Sequence, residues 1–175
     1  MVNIIQRKLL KQDRNIQFVE LTAQLPNGTH THKTVIDHPG AVVMIPMMDT
    51  ETVILIRQYR YALAQTVLEL PAGTLEPNED PLTAAQRELQ EEIGYQAQTL
   101  APAGMVYPAV SFTNEILHFF IATGLTPSTL PPDDDELIQV VNMPLDEAIT
   151  QVKQGNIRDA KTILGLYHAK LTILG

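Results

Sequence analysis

Glu88, Glu91 and Glu92 stand three and four residues apart in the run Arg87-Glu88-Leu89-Gln90-Glu91-Glu92, the spacing at which side chains become neighbours on a helix surface. Like charges so placed cost roughly 0.2–0.5 kcal/mol per pair. Glu92, nearest the apolar edge of the helix, is also expected to pay desolvation. A divalent cation reverses both penalties. Mg²⁺ takes hard oxygen ligands and keeps several waters, so carboxylates together with a substrate phosphate form its natural shell. In that position it neutralises charge on phosphate oxygens and lowers the pKa of an attacking water. An isolated Glu-Glu pair is more often a solvated helix face with arginine or lysine partners, so the triad alone leaves both readings open.

The element that must position these carboxylates is a helix over 81–93. Asp80 can accept from the first free backbone amides, Pro81 needs no amide partner at the first helical position, and Gly94 is a natural stop. At 100° per residue, Leu82, Ala85, Leu89 and Ile93 fall on one apolar stripe. Glu88 and Glu92 flank it, and Glu91 lies one step further toward solvent. Two more helices are expected over 145–154 and 157–174, the former ended by Gly155. Residues 2–38 alternate apolar and polar positions with turn signals at Asp13-Arg14-Asn15 and Pro26-Asn27-Gly28, which predicts short antiparallel strands. The β-branched runs 40–46 and 52–58 read as a buried hairpin, with further strands over 66–70, 104–107, 115–122 and 137–142. Hairpins interleaved with a few helices favour a layered α/β fold on a mixed sheet over a regular βαβ repeat.

Bulk composition narrows the function. The 175 residues suffice for one domain with a proper core, and 45% hydrophobic with 18% charged residues is ordinary for a folded globular chain. Twelve Lys+Arg against twenty Asp+Glu, a formal charge of -8, is a poor match to a nucleic-acid backbone and argues against a polymer substrate. With no cysteine, thiolate metal sites and cysteine nucleophiles are excluded and the chemistry falls to oxygen and nitrogen ligands. No apolar run has the length of a membrane span and no secretory leader is recognisable, so no membrane partner and a cytoplasmic location are expected. His30 and His32 would share one face of a strand, but in a polar hairpin beside Asn27-Gly28 they read as exposed rather than as metal ligands.

Beyond the triad, eight residues over a 23-residue stretch, Gly73, Glu79, Arg87, Glu88, Leu89, Glu91, Glu92 and Gly94, reproduce the signature of the Nudix hydrolase family, with Tyr95 where a bulky aliphatic residue is usual. The resemblance implies a Nudix-type α/β/α sandwich in which Glu88, Glu91 and Glu92 ligate Mg²⁺, with Mn²⁺ as the alternative. Arg87 and Glu79 would pair to hold the preceding loop, Gly73 and Gly94 would shape its ends, and the Ala72 carbonyl would complete the coordination. It extends from about His38 to Leu171 through HPGAVVMIP, VILIRQYRYA, LELPAG, YPAVSFTNE and IRDAKT. These segments are most similar to the ADP-ribose, or ADP-sugar, pyrophosphatase branch.

That branch implies hydrolysis of a nucleoside diphosphate sugar, with ADP-ribose cleaved to AMP and ribose 5-phosphate as the leading expectation. GDP-mannose, another nucleotide sugar or a dinucleotide is the alternative, and a non-catalytic nucleotide-sugar-binding regulator is the reading from another class. Arg60, with Arg57 beside it, matches the substrate-binding arginine; without the family both would also serve as a charged strand edge. Glu69 is expected either to contact substrate or metal or to be satisfied by nearby backbone amides. Val110 stands where ADP-ribose hydrolases commonly carry proline and Ser111 where glycine is frequent, so the wall of the nucleotide pocket is expected to differ, with Glu115 supporting it. The resemblance further places a general base on the acidic loop, with Asp134 and Glu136 the candidates. It implies a homodimer formed through the N-terminal strands (1–38), with 39–175 as the catalytic core.

Overall fold

A computed structural model describes residues 1–131 and 137–174. Three strands, β1 (Asn3–Asp13), β2 (Ile16–Gln24) and β3 (His30–Asp37), form a separate antiparallel sheet in the order β1-β2-β3. They turn at the two places the sequence signals: Arg14 and Gly28 both adopt positive φ there, 47° and 83°. The strands are longer than the turn spacing alone suggested. Every residue of β1 is exposed.

Two further sheets build the core. One is antiparallel, β10 (Ile138–Pro144), β5 (Thr52–Arg60) and β6 (Gln65–Glu69), in the order β10-β5-β6. The other is mixed, β7 (Ala72–Thr74), β4 (Ala41–Pro46), β9 (Leu117–Pro127) and β8 (Tyr95–Val106), in the order β7-β4-β9-β8, with β4 and β9 parallel. Along β4, Val43 and Ile45 enter one apolar cluster with Ala148, Ile149, Leu166 and Ala169 of helices α2 (Leu145–Lys153) and α3 (Ala160–Leu174). Val42 and Met44 enter a second cluster with Ala84 and Ala85 of α1 (Pro81–Glu88). On β5, Val53 and Leu55 go to the first cluster and Ile54 and Ile56 to the second. Both sheets therefore lie between α1 on one side and α2 with α3 on the other, an α/β/α sandwich. This explains why β4 is buried along its whole length, as a strand covered on both faces must be. No helix among the described residues is long and apolar enough to cross a membrane.

The expected hairpin of 40–46 with 52–58 is not formed. β4 spends its two edges on β7 and β9, and β5 belongs to the other sheet. Only an isolated bridge between Met47 and Val53 and the bond from Met48 N to Thr52 O, 2.9 Å, mark where the chain crosses over. Burial on both faces is what two uniformly apolar strands demand, and it does not fix which strand pairs with which.

Candidate active site

The helix opens as its sequence dictates. Asp80 accepts from the amides of Leu82 and Thr83 at 3.1 and 3.2 Å, and Pro81 occupies the first position. Its stripe, however, is rotated from expectation. Leu82 is 47% exposed, whereas Ala84, Ala85 and Leu89 are fully buried and Glu88 and Glu92 are only 8% and 5% exposed. The two glutamates thus sit inside the buried face rather than beside it. The last turn, Leu89–Ile93, is π-helical and ends on Gly94 at φ 74°, a left-handed conformation suited to glycine.

That turn also anchors the stem of the chain leading to 132–136. Leu130 N donates to Gln90 O at 3.2 Å, Ser128 N to Gly94 O at 2.9 Å, and Gln90 Nε2 to Ser128 Oγ at 2.7 Å. Asp134 and Glu136, the candidate bases, lie outside the described residues.

Arg87 organises the carboxylates. Its Nε and Nη2 each donate to Glu79 at 2.9 Å, a bidentate pair, while Nη1 donates to Glu88 at 2.7 Å and to Glu91 at 2.8 Å. Glu79 in turn accepts from Glu76 N at 3.0 Å, which closes the loop before the helix. The bonds to Glu79 foremost, against the cost of burial, raise the Arg87 pKa well above its ordinary value and keep it charged. The bond from Arg87 likewise holds Glu79 below the usual carboxylate range.

Glu92 is held from the other side, accepting from Ala72 N at 2.9 Å. Ala72 and Gly73 belong to β7, paired with Val43 and Val42. Gly73 is where the strand and helix meet most closely: a Cβ there would fall 1.8 Å from Cδ of Glu88. Only glycine leaves that carboxylate its place. The three glutamates are drawn onto Arg87 and the Ala72 amide, and among the described residues no three or more acidic or histidine side chains converge on one point. Their chemistry still suits a divalent cation. The donors are hard oxygens, Glu88 and Glu92 are buried carboxyl groups, and the Gly73 cradle admits Glu88.

Arg60 and Glu69 meet across β5 and β6. Arg60 Nε and Nη2 donate to Glu69 at 2.7 and 3.0 Å, and Lys161 Nζ donates to the same carboxylate. Glu69, 1% exposed, is therefore satisfied by two cations rather than by backbone amides. Burial works against the charge on Arg60, but the bonds and field of Glu69, with Glu92 and Asp159 adding to it, raise its pKa. Arg57 is exposed and sits three residues before Arg60, hence on the opposite face of the strand. The two arginines therefore point away from each other.

Sequence reasoning missed the first turn of α3. Asp159, not Ile157, caps this helix, accepting from Thr162 N at 3.0 Å and Thr162 Oγ1 at 2.6 Å and from Lys161 Nζ at 3.0 Å. Burial pushes the Asp159 carboxyl up, but the charge of Lys161 and the bonds from Thr162 and Lys161 leave it below its ordinary value. The signal was present in Asp159-Ala160-Lys161-Thr162, where an Asp stands three residues before a Thr at a helix start.

Away from the glutamates, Val110 and Ser111 line a cavity of about 230 Å³ with Arg7, Asp37, Phe112 and Asn114. Asn114 Nδ2 donates to Asp37 at 2.6 Å, so this loop and the N-terminal sheet meet there. Glu115 lies 3.9 Å from His38. His30 is exposed, and His32 shares a 3.1 Å bond with Thr22, as expected of surface residues.

The NUDIX domain family model matches residues 37–166. Among curated proteins, an ADP-ribose pyrophosphatase from Bacillus subtilis (strain 168) is 35% identical over 150 residues, covering 85% of this chain and 81% of its own. A methanol dehydrogenase activator from Bacillus methanolicus is 34% identical with the same coverage. A GDP-mannose pyrophosphatase from Cronobacter sakazakii (strain ATCC BAA-894) is 33% identical, covering 97% and 95% of the two chains. A crystal structure of an ADP compounds hydrolase superimposes with a TM-score of 0.86 at 23% identity, covering 99% of this chain and 95% of that one.

Proposed function

The chain belongs to the NUDIX family, and from that premise we propose that it is a cytoplasmic Mg²⁺-dependent pyrophosphatase that hydrolyses ADP-ribose to AMP and ribose 5-phosphate. The observation that carries this reading is the pair of buried glutamates, Glu88 and Glu92, set against Gly73 and the Ala72 amide, with Arg60 close enough for Glu92 to act on its charge. In this reading Glu88, Glu91, Glu92 and the Ala72 carbonyl hold the cation. When bound, it supplies charge neutralisation on the diphosphate and activation of water. Water adds to one phosphorus and gives its proton to the general base, the bond from that phosphorus to the bridging oxygen breaks, and its electron pair leaves on the second phosphate.

Each remaining step belongs to the chain itself. Arg87 gathers Glu79, Glu88 and Glu91 around one guanidinium, which keeps the carboxylates of the helix beside the loop that precedes it. Arg60 uses two of its five N–H groups on Glu69 and presents the rest to phosphate oxygens. The general base is assigned to Asp134 or Glu136. Turnover of ADP-ribose with Mg²⁺, read as equimolar AMP and ribose 5-phosphate, tests the proposal; no turnover of any nucleoside diphosphate sugar refutes it. GDP-mannose is the second substrate to assay, since the similar GDP-mannose pyrophosphatase aligns over 97% of this chain and Val110 replaces the proline expected of ADP-ribose hydrolases.

The same reading includes a homodimer. The β1 strand exposes Ile4, Ile5, Leu9 and Leu10, each about half accessible, on a sheet edge that a second copy can cover. Sedimentation at micromolar concentration should give a dimer, and a Leu9→Glu variant a monomer.

A further inference from the structure

Four charged groups of alternating sign form a row from the start of α3 to the site: Asp159, Lys161, Glu69 and Arg60. The row is enclosed at its centre, where Glu69 is 1% exposed, and each member is hydrogen-bonded to the next in the series. At that enclosed centre Glu69 is oriented by its two charged partners, because water is not there to take over a lost one. Glu69 holds the plane of Arg60 through two parallel bonds, so any rotation of the Glu69 carboxylate turns the guanidinium with it. Among the described residues the other cation on Glu69 is Lys161, whose ammonium is divided between Glu69 and Asp159.

From this we infer that Asp159 is a positioning residue: by sharing Lys161 it sets the orientation of Glu69, and through Glu69 that of Arg60. The inference rests on the reading above that Arg60 binds the diphosphate. Asp159 also caps α3 through Thr162, and Thr162 Oγ1 accepts from Leu70 N at 2.8 Å, so one carboxylate links the helix start both to the strand end and to the charged row. The two roles are separable. An asparagine keeps an oxygen for the Thr162 amide and hydroxyl but gives up the charge that holds Lys161.

The test is Asp159→Asn examined in two ways. In the metal-free protein, the Nε–H resonance of Arg60, a hydrogen-bonded proton in the wild type, should shift or broaden; an unchanged resonance overturns the inference, whatever the enzyme hydrolyses. In the Mg²⁺-loaded protein, KM for ADP-ribose should rise about tenfold with kcat altered less than about threefold. In an Arg60→Lys background the same substitution should add almost nothing, because the geometry it maintains is already gone. Equal effects in both backgrounds, or a fall in kcat that follows a loss of thermal stability, would show that Asp159 is only a helix cap. If the resonance moves but ADP-ribose is not turned over by the wild type, the positioning role stands and the substrate assignment falls.

Discussion

Replacing Gly73 by alanine should nearly abolish hydrolysis while leaving the fold intact. The new Cβ would lie 1.8–2.3 Å from the carboxylate atoms of Glu88, roughly 1.6 Å short of ordinary contact at its closest. Those atoms are the far end of a flexible side chain, so the fold escapes the clash by rotating Glu88 rather than by moving β7. Gly73 does not adopt a positive φ, and an alanine at such a site gains roughly 0.4–1 kcal/mol by restricting the unfolded chain. Against this stand a displaced rotamer, roughly 0.5–1.5 kcal/mol, and the lost Glu88–Arg87 pair, about 1 kcal/mol or less for a partly solvated contact. The net effect lies between a gain of roughly 0.5 kcal/mol and a cost of roughly 2 kcal/mol, a fall in Tm of at most about 8 °C for a chain of this size. A carboxylate moved by more than an ångström is by contrast expected to cost about 100-fold or more in rate. Thermal melts without metal and steady-state kinetics with Mg²⁺ measure the two quantities separately. Activity within threefold of wild type would refute the role given to Glu88, and failure to fold would refute the claim that the clash is relieved by one side chain.

Other consequences follow from the same contacts. Glu92→Gln retains an oxygen for the Ala72 amide and should preserve Tm within about 3 °C while lowering kcat at least about 100-fold; unchanged activity would remove Glu92 from the metal set. Mg²⁺ at about 100 times its dissociation constant should stabilise the wild type by about 2.7 kcal/mol, and this gain, read by calorimetry, should be lost in Glu92→Gln. The carboxyl of Glu79 is held below its ordinary value of 4.5 by Arg87, so its contribution to stability is complete above that pH and fades as pH falls through its folded value. The stability difference between wild type and Glu79→Gln should therefore be constant near neutrality and shrink below about pH 4.5 in denaturant titrations; a difference that widens in acid would contradict the pairing.

The glutamate helix was legible because its determinants are local: Asp80, Pro81 and Gly94 act within one turn of themselves. Its orientation was not. Periodicity placed Leu82 in the stripe since it counts apolarity, whereas the packed face takes in Ala84, Glu88 and Glu92 because the cradle at Gly73 and the Ala72 amide receive carboxylates there. The partners of β4 were hidden for a related reason. A strand apolar on both faces announces burial, but its neighbours, β7 of three residues and β9 some 70 positions further along, are set by the packing of the whole chain. Asp159 and Lys161 escaped notice because their importance depends on Glu69, 92 residues from Lys161 in sequence.

Charge explains why so many constraints meet here. Glu69, Glu79, Glu88, Glu91, Glu92 and Asp159 face Arg60, Arg87 and Lys161, six carboxylates to three cations among the described residues. The cations are distributed unevenly. Glu69 and Asp159 share Arg60 and Lys161, a balanced group, while Glu79, Glu88 and Glu91 gather on the single cation Arg87, and the Glu76 and Ala72 amides donate to Glu79 and Glu92. The excess negative charge is thus concentrated on the Nudix helix, where Glu88 and Glu92 are also the least hydrated. Buried carboxylates in excess are costly unless they are compensated by a cation. In the proposed function a divalent ion held by these carboxylates would remove that excess. Under the same proposal the neutral Arg60–Glu69 group would offer a phosphate the guanidinium edge without adding a further net charge.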